Sequence, residues 1–290
     1  NGAKLNVGTG NDITIGQVLE DAVSPAAAGT LTKSGLGTLT LTAANAYTGA
    51  TSVNAGTLAL VGGSQASPIT VSTGASLGFT LGSPTTSTSS FNLTNGTVKI
   101  TGTPTLPSYT LITSSTGITG TPVLDTPIAG YGLQVQGNSL RLVNFYAEWA
   151  AGTFANAFTQ TLPGQDQDGD NYVNLMEYAF GTDPTVNSSG QITYASGVVS
   201  AHGQPVLVQN SGNYFAVFGR RSDYLAAGLT YTVEFSPDMS TWSASATTPT
   251  TLATDGVIDA VSVPYPTSLI ATPSGPKKAR FFRVVISSSF

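Results

Sequence analysis

The side chains best suited to metal chemistry lie in one acidic stretch, residues 165–177, which reads QDQDGDNYVNLME. Oxygen ligands are offered at six spaced positions, namely Asp166, Asp168, Asp170, Tyr172 (through its backbone carbonyl), Asn174 and Glu177. Ca²⁺ is a hard cation that takes roughly six to eight oxygen ligands, and this spacing matches the ligand positions of an EF-hand loop. The stretch therefore predicts a calcium site.

The loop departs from the EF-hand pattern at its sharp turn. Where the EF-hand has an invariant glycine this chain has Asn171, and Gly169 stands two residues earlier. Asparagine adopts the left-handed backbone conformation more readily than most residues, so the turn stays possible. The alternative interpretation is a solvated acidic turn without a metal. The segment 144–184 favours the metal, because it contains six acidic residues and no lysine or arginine, and a cation relieves their mutual repulsion.

Short amphipathic segments flank the acidic loop on both sides. Residues 174–180, NLMEYAF, have helical spacing with an apolar face of Leu175, Met176 and Ala179, and a glycine follows to end the helix. Residues 145–158 have the aromatic spacing of another short helix. The pattern predicts helix, calcium loop and helix. Because the site is single, we expect the calcium to be structural and to fix the angle between the regions on either side.

Four short segments in the first half share a pattern of an apolar residue, a glycine and then alternating apolar residues. They are residues 53–60, 71–79, 93–100 and, with one residue fewer, 135–142. Leu39, Leu58, Leu77 and Val98 recur at intervals of 19, 19 and 21 residues. A period near 20 residues with alternation inside each unit is typical of a stacked β-solenoid, in which neighbouring rungs bury a common core. An ordinary β-sandwich with similar hairpins is the alternative.

One repeat unit resembles a known family. The stretch Leu31–Leu60 reads LTKSGLGTLTLTAANAYTGATSVNAGTLAL, with Leu-Thr-Lys-x-Gly-x-Gly-Thr-Leu-x-Leu, then Asn-x-Tyr-Thr-Gly-x-Thr and a Gly-Thr-Leu strand. It resembles the autotransporter-associated β-strand repeat of bacterial surface proteins. The resemblance covers one full unit, and the later units are degenerate. It implies a β-helical passenger region exported to the cell surface, with a role in structure, display or adhesion.

The second half resembles a recurrent bacterial C-terminal module. In that module a DxDGD loop runs into Asn-Leu-x-Glu-Tyr-Ala-x-Gly-x-Asp-Pro, and a β domain ending in Phe-Arg-Val follows; this chain has all three features. The alternating strand patterns here are residues 214–221, 231–236, 256–263 and 279–287. Their length and spacing predict a small β-sandwich of immunoglobulin or fibronectin kind. The resemblance implies an anchoring, sorting or assembly role.

The composition narrows the possible classes of function. Hydrophobic residues make up 40% of the chain and charged residues 9%, which predicts a folded all-β protein. The net charge of −5 without a basic stripe argues against a nucleic-acid partner. The absence of cysteine and of a membrane-length apolar run suits a secreted bacterial protein that is not transmembrane. A chain that starts at Asn1 is expected to be a processed part of a longer precursor.

No residue set in the sequence favours catalysis. His202, the single histidine, lies in a Gly/Pro loop and has no cysteine partner. The GxSxG match at residues 74–78 lies in the repeat, where the strand–serine–helix context of an esterase is not expected. Asp255 and Asp259 have the residue types of a glycosidase pair, but a solvated hairpin explains them better. We therefore expect no enzymatic activity.

These patterns predict a mainly β protein in three parts: a β-solenoid over 1–143, a helical calcium-binding linker over 144–187 and a β-sandwich over 188–290. The predicted function is that of a non-enzymatic, exported structural protein, a subunit of an extracellular fibre or surface layer. It is expected to assemble head to tail and to be stabilised by Ca²⁺. The alternative is an adhesin or polysaccharide-binding module of a larger secreted protein, with Trp242 as a candidate sugar platform.

Overall fold

The structure is a computed structural model, and its described residues are 2–23, 26–94, 96–154, 159–187, 190–266, 269–272, 275–277 and 279–289. The chain forms two compact units, residues 1–144 and 145–290, and each is described by itself. Strands dominate both units, which confirms the prediction of a mainly β protein. That residues 144–187 form a linker of their own stays a prediction.

The first unit is built from short strands separated by glycine- and serine-rich turns. The strands are β1 (Gly2–Asn6), β2 (Ile13–Ile15), β3 (Ala22–Val23), β4 (Ala26–Ala27), β5 (Thr30–Ser34), β6 (Thr38–Leu41), β7 (Thr51–Val53), β8 (Gly56–Leu60), β9 (Ile69–Val71), β10 (Ala75–Thr80), β11 (Thr86–Thr88), β12 (Phe91–Asn92), β13 (Thr97–Thr101), β14 (Ser108–Ser114), β15 (Ile118–Thr119), β16 (Tyr131–Gln136) and β17 (Ser139–Asn144). The short lengths follow from the glycines, which weaken strand interiors and favour turns.

Two parallel sheets form the body of the first unit. One has the order β1-β5-β7-β9-β12-β15 and the other has the order β13-β10-β8-β6-β2. Strands that are neighbours in a sheet come from successive turns of the chain, so each turn adds one rung to both sheets. This parallel, rung-by-rung stacking is β-helix-like, as the repeat period predicted.

The residues that recur in the sequence are stacked in the core. Leu39 pairs with Leu58, Leu58 pairs with Leu77, and Leu77 pairs with Val98, all in parallel register. All four side chains are fully buried. Alternate residues of each strand point inward, and stacking like side chains on neighbouring rungs removes their apolar surface from water. The interval seen in the sequence is the length of one rung.

A buried lysine holds one corner of the solenoid. Lys33 is fully buried. Its Nζ donates to the backbone oxygens of Ser34 (3.1 Å), Gly35 (2.7 Å) and Ala55 (2.9 Å), the last of which belongs to the next rung. Gly56 follows with φ of 65°, and a Cβ there would lie 2.5 Å from the backbone oxygen of Gly35. The corner therefore requires both the ammonium, which satisfies buried carbonyls, and the glycine, which fits a crowded left-handed position.

One segment predicted as a repeat unit folds differently. Residues 135–142 form an antiparallel hairpin between β16 and β17 instead of a parallel rung. Gly137 adopts φ of 57° and, with Asn138, makes a two-residue turn that reverses the chain. β17 also pairs antiparallel with β14, and its Leu140 and Leu142 pack into the same core as the rungs. The glycine of this segment thus ends the stacking instead of turning a corner.

The second unit contains two helices followed by strands. They are α1 (Phe145–Phe154), α2 (Asn174–Phe180), β18 (Thr193–Ala195), β19 (Val198–Ala201), β20 (Val206–Asn210), β21 (Asn213–Arg221), β22 (Leu229–Ser236), β23 (Ser243–Ala244), β24 (Thr250–Thr254), β25 (Ile258–Pro264), β26 (Leu269–Thr272), β27 (Gly275–Lys277) and β28 (Phe281–Ser288). All four strands predicted from alternating patterns in this region are present, as β21, β22, β25 and β28.

The strands of the second unit form two main sheets. Their orders are β18-β19-β24-β25-β21-β20 and β23-β22-β28. Side chains from both sheets, including Phe218, Phe235 and Val263, share one buried core. The six-stranded sheet buries a second cluster around Val217 and Ile258. Val217 alternates with Phe218 along β21, so this cluster lies on the other face of that sheet. The finer immunoglobulin- or fibronectin-like topology stays a prediction.

The helices of the second unit lie where the sequence places them. α2 spans the predicted residues, and Gly181 ends it in the left-handed conformation with φ of 77°. α1 covers the first 10 residues of the predicted 145–158. Residues 155–158 of that prediction lie outside the described part of the chain.

The buried face of α2 differs from the amphipathic prediction. Tyr178 and Phe180 are fully buried, whereas Leu175 and Met176 are half-buried. The reason is that α2 is covered on two sides. Tyr178 packs edge-on against Tyr146 of α1 with ring centroids 5.4 Å apart, and Phe180 joins the core between the sheets. A helix covered in this way has no single apolar stripe.

Candidate metal centre

The acidic loop before α2 turns sharply enough to gather its aspartates. Carboxylate oxygens of Asp166, Asp168 and Asp170 lie within 4.8 Å of one another. The turn contains two left-handed residues, Gly169 with φ of 78° and Asn171 with φ of 72°. Asn171 therefore takes the conformation that glycine provides in an EF-hand loop, which asparagine adopts more readily than most residues.

Backbone amides of the loop hold these carboxylates in place. The Asp166 carboxylate accepts from Gly169 N at 2.8 Å through Oδ1 and from Asn171 N at 2.9 Å through Oδ2. Asp168 Oδ1 accepts from Asp170 N at 3.2 Å. Each carboxylate oxygen has more than one lone pair, so these bonds fix the side chains without exhausting their capacity to bind a cation.

Glu177 of α2 is the most informative residue of the site. It is fully buried, and its Oε2 has no hydrogen-bond partner among the described residues. Among the described residues, its Oε1 accepts one long hydrogen bond, from Thr182 Oγ1 at 3.5 Å. The Oδ2 atom of Asp168 is likewise buried without a partner in the described chain. Buried carboxylate oxygens without donors are costly unless a proton or a cation neutralises them.

The electrostatics of the site disfavour negative charge in the absence of a cation. Burial, together with the charges of Asp168, Asp170 and Asp166, raises the pKa of Glu177 from 4.5 to about 8. Burial also raises the pKa of Asp168 above its usual range. A divalent cation among these oxygens reverses the effect, because an opposite charge favours the ionised carboxylates.

The other two predicted ligands make contacts of their own. Asn174 begins α2, is fully buried, and donates from Nδ2 to the backbone oxygens of Gln160 (2.8 Å) and Leu162 (2.9 Å). Its Oδ1 is buried without a partner in the described chain. The side chain of Tyr172 packs against the core of the second unit, which leaves its backbone for the loop. Their roles as ligands stay predictions. No sequence pattern pointed to Gln160 or Leu162, which lie more than ten residues upstream.

The donor set fits a hard divalent cation. The carboxylates of Asp166, Asp168, Asp170 and Glu177 offer oxygen atoms only, which suits Ca²⁺, whereas a structural zinc site uses sulfur and nitrogen ligands. The orphaned oxygens of Glu177 and Asp168 are the observation that a cation explains. A cation bound by these residues would supply positive charge between the loop and α2.

Residues considered for catalysis or sugar binding make structural contacts. Ser76 of the GxSxG match lies within β10, and its hydroxyl is 2.8 Å from the hydroxyl of Thr97. The guanidinium of Arg283 lies over the ring of Trp242 at 4.4 Å, and the indole donates to the backbone oxygen of Met239. One face of the Trp242 ring is therefore covered by a cation–π contact.

The repeat in the first unit matches a known family. The model of the passenger-associated-transport-repeat family matches residues 31–60, the stretch that carries the autotransporter-associated pattern. These residues supply strands β5 to β8 of the two parallel sheets. The match indicates a bacterial surface protein related to autotransporter passengers. No curated protein matches the chain.

In the described part of the chain, neither helix has the length and apolar character needed to cross a membrane.

Proposed function

We propose that the protein is a non-enzymatic, exported structural component of a bacterial surface assembly. The observation that carries the proposal is the parallel solenoid, in which residues 31–60 match a passenger-associated repeat and stacked side chains fill the core. In such a fold each rung contacts its neighbours, so the unit serves as a spacer that extends by adding rungs.

The second element of the proposal is a structural calcium site in the second unit. The three aspartates, whose carboxylate oxygens lie within 4.8 Å of one another, would bind one ion together with Glu177 of α2. The support for Glu177 is that the charges of these aspartates act on it and that its Oε2 is buried without a partner among the described residues. A ligand that binds the native state and not the unfolded chain stabilises the fold by mass action. Calcium would therefore hold the loop against α2 and stabilise the aromatic packing of α2 on α1.

The third element is head-to-tail assembly through the first rung of the solenoid. Among the described residues, β1 and β2 are the outermost strands of the two parallel sheets at one end of the solenoid. A cavity of about 310 Å³ lies beside this rung, and its apolar lining includes Ala3, Leu19 and Leu31. Edge strands next to an apolar hollow favour pairing with another chain. A second copy that adds a strand here would extend both sheets.

Two measurements test the proposal separately. Isothermal titration of calcium into the metal-free chain tests the site, and absence of binding would refute it. Light scattering and negative-stain electron microscopy, with calcium and with chelator, test the assembly. We expect the unmodified chain to form ordered fibres or sheets. Ala3→Lys should prevent their formation, because it places a charge at the first rung. Thr247→Lys, at an exposed position of the second unit, is the control and should leave them intact. Monomers under both conditions would refute the assembly and make a glycan-binding screen the next experiment.

A further inference from the structure

The single histidine of the chain joins three parts of the second unit. His202 follows β19, and its ring lies between the end of α2 and the turn from β24 to β25. Its Nδ1 is 2.7 Å from the backbone oxygen of Gly181, and its Nε2 is 2.6 Å from Oδ2 of Asp255. The side chains of His202 and Asp255 are 30% and 28% exposed. Both contacts are therefore partly shielded from water.

Both partners of the ring accept hydrogen bonds and cannot donate them. A backbone carbonyl is an acceptor only. Burial opposes ionisation of Asp255, but hydrogen bonds from Ile258 N, His202 and Val257 N outweigh it and lower the pKa of Asp255 to about 2. Its Oδ1 accepts from Val257 N at 2.9 Å and from Ile258 N at 2.8 Å. Asp255 is thus a carboxylate acceptor at neutral pH.

A ring held between two acceptors satisfies both only if it donates from both nitrogens. The imidazolium has two N–H groups, whereas the neutral ring has one and sets a lone pair against the other acceptor. We propose that His202 acts as an imidazolium clasp, a positioning residue that in its protonated form holds the end of α2, and with it Glu177, in place for cation binding. The positioning role rests on the calcium site proposed above.

The clasp reaches Glu177 through one turn of backbone. The oxygen of Glu177 accepts from Gly181 N at 2.7 Å and from Thr182 N at 3.0 Å. The residue that His202 contacts is therefore bonded directly to the backbone of the predicted closing ligand. When the ring is neutral, one of its two bonds is lost, and the end of α2 is held less firmly.

The other charged groups on the elements around the ring have partners of their own. Asp183, two residues beyond Gly181, accepts from Thr185 N at 3.0 Å. Asp259 of β25 lies 3.8 Å from Arg220. Asp255 is the charged side chain in contact with His202 among the described residues. Asp255 and the carbonyl of Gly181 are thus the two acceptors that a protonated ring would bind.

The first test reads the ring directly and needs no calcium. Because the chain has one histidine, its ¹⁵N signals belong to His202 without assignment by mutation. In chelator at pH 7.5, where an ordinary histidine is neutral, we expect both ring nitrogens to carry protons. Asp255→Asn, which keeps the size and removes the charge, should give a neutral ring at the same pH. A neutral ring in the unmodified chain would overturn the clasp.

The second test compares calcium affinity at pH 6 and pH 9, using calcium alone as the ligand. His202→Gln should bind roughly tenfold more weakly than the unmodified chain at pH 6, a loss equal to about one charge-assisted hydrogen bond. At pH 9 the two chains should bind equally. The ionisation of Glu177 affects both chains equally, so it cancels in the ratio of their calcium affinities. Gln209→Ala, an exposed change on β20, is the control and should leave the ratio at one at both pH values.

The outcomes separate this inference from the proposed function. A ratio that is the same at pH 6 and pH 9 would refute the positioning role while the calcium site stands. No calcium binding by the unmodified chain at either pH would refute the calcium site and the positioning role together. The ring signals then still decide whether the clasp exists.

Discussion

Replacing Glu177 by glutamine should change stability in opposite directions with and without calcium. The carboxyl of Glu177 is buried, and its Oε2 has no hydrogen-bond partner among the described residues. Without a cation the native state resists ionisation of this group, whereas the unfolded chain ionises it readily. Glutamine has nearly the same shape and no charge, so it removes this disadvantage and also removes a ligand.

The size of the calcium-free effect follows from the pKa of Glu177. The pKa is about 8 in the native chain, against 4.5 for the unperturbed group. Because the native pKa is the higher one, stability without calcium falls as the pH rises from about 4.5 to about 8. Each pH unit in this range costs about 1.4 kcal/mol, which gives about 3 kcal/mol at pH 7 as an upper bound. Glu177→Gln should recover most of it.

Calcium should reverse the order of the two chains. At a concentration about 1,000 times its dissociation constant, a ligand stabilises the native state by about 4 kcal/mol. The glutamine variant lacks the carboxylate that is predicted to close the ligand shell, so it should gain much less. With calcium, the unmodified chain should therefore be the more stable, and the part of its pH dependence that comes from Glu177 should disappear.

Tryptophan fluorescence during urea unfolding is the suitable assay. Both tryptophans, Trp149 and Trp242, lie in the second unit, and the Trp149 ring is 5.1 Å from that of Tyr178 on α2. Glu20→Gln, an exposed change in the first unit, is the charge-matched control and should have no effect under either condition. A glutamine variant less stable than the unmodified chain in chelator at pH 7 would contradict the electrostatic reasoning.

Three further predictions concern the solenoid, and far-UV circular dichroism during urea unfolding checks each. Lys33→Met should lower the free energy of unfolding by about 2–4 kcal/mol, because three buried carbonyls lose their donor. Lys99→Met, at an exposed position on β13, is the control and should lower it little. Equal losses in the two variants would contradict the contact of Lys33 with the corner. Gly56→Ala should cost at least about 2 kcal/mol more than Gly74→Ala. Both glycines have positive φ, but of the two only Gly56 lies against backbone atoms. Equal losses of stability in the two variants would therefore show that crowding is unimportant. Leu58→Ala should cost about 3 kcal/mol through a cavity in the stacked core, and a loss below about 1 kcal/mol would mean that the rungs are not packed as described.

Several features were readable from sequence because they are local or periodic. The interval between Leu39, Leu58 and Leu77 equals one rung, so the stacking of these residues followed from their spacing alone. The bounds of α2 followed from helical spacing and from Gly181. The left-handed turn at Asn171 followed from the backbone preference of asparagine. In each case a short segment contains the whole physical cause.

Other features depended on contacts between distant segments. The glycine turn of residues 135–142 looks like a corner in sequence, and pairing of β17 with β14 places its hairpin in the sheet β11-β14-β17-β16. Tyr178 is buried because α1 lies beside α2, which the spacing of α2 does not show.

The properties of the candidate metal site likewise fall into those predicted from the sequence and those set by tertiary packing. The sequence by itself predicted six oxygen ligands, and the three aspartates among them that the structure brings together stand at alternate positions of one tight turn. Only the tertiary structure decided that Glu177 is buried without a donor and that His202 meets Asp255, 53 residues away. Burial and long-range pairing arise from the packing of whole elements, and packing sets the cost of a charge and the protonation of a ring.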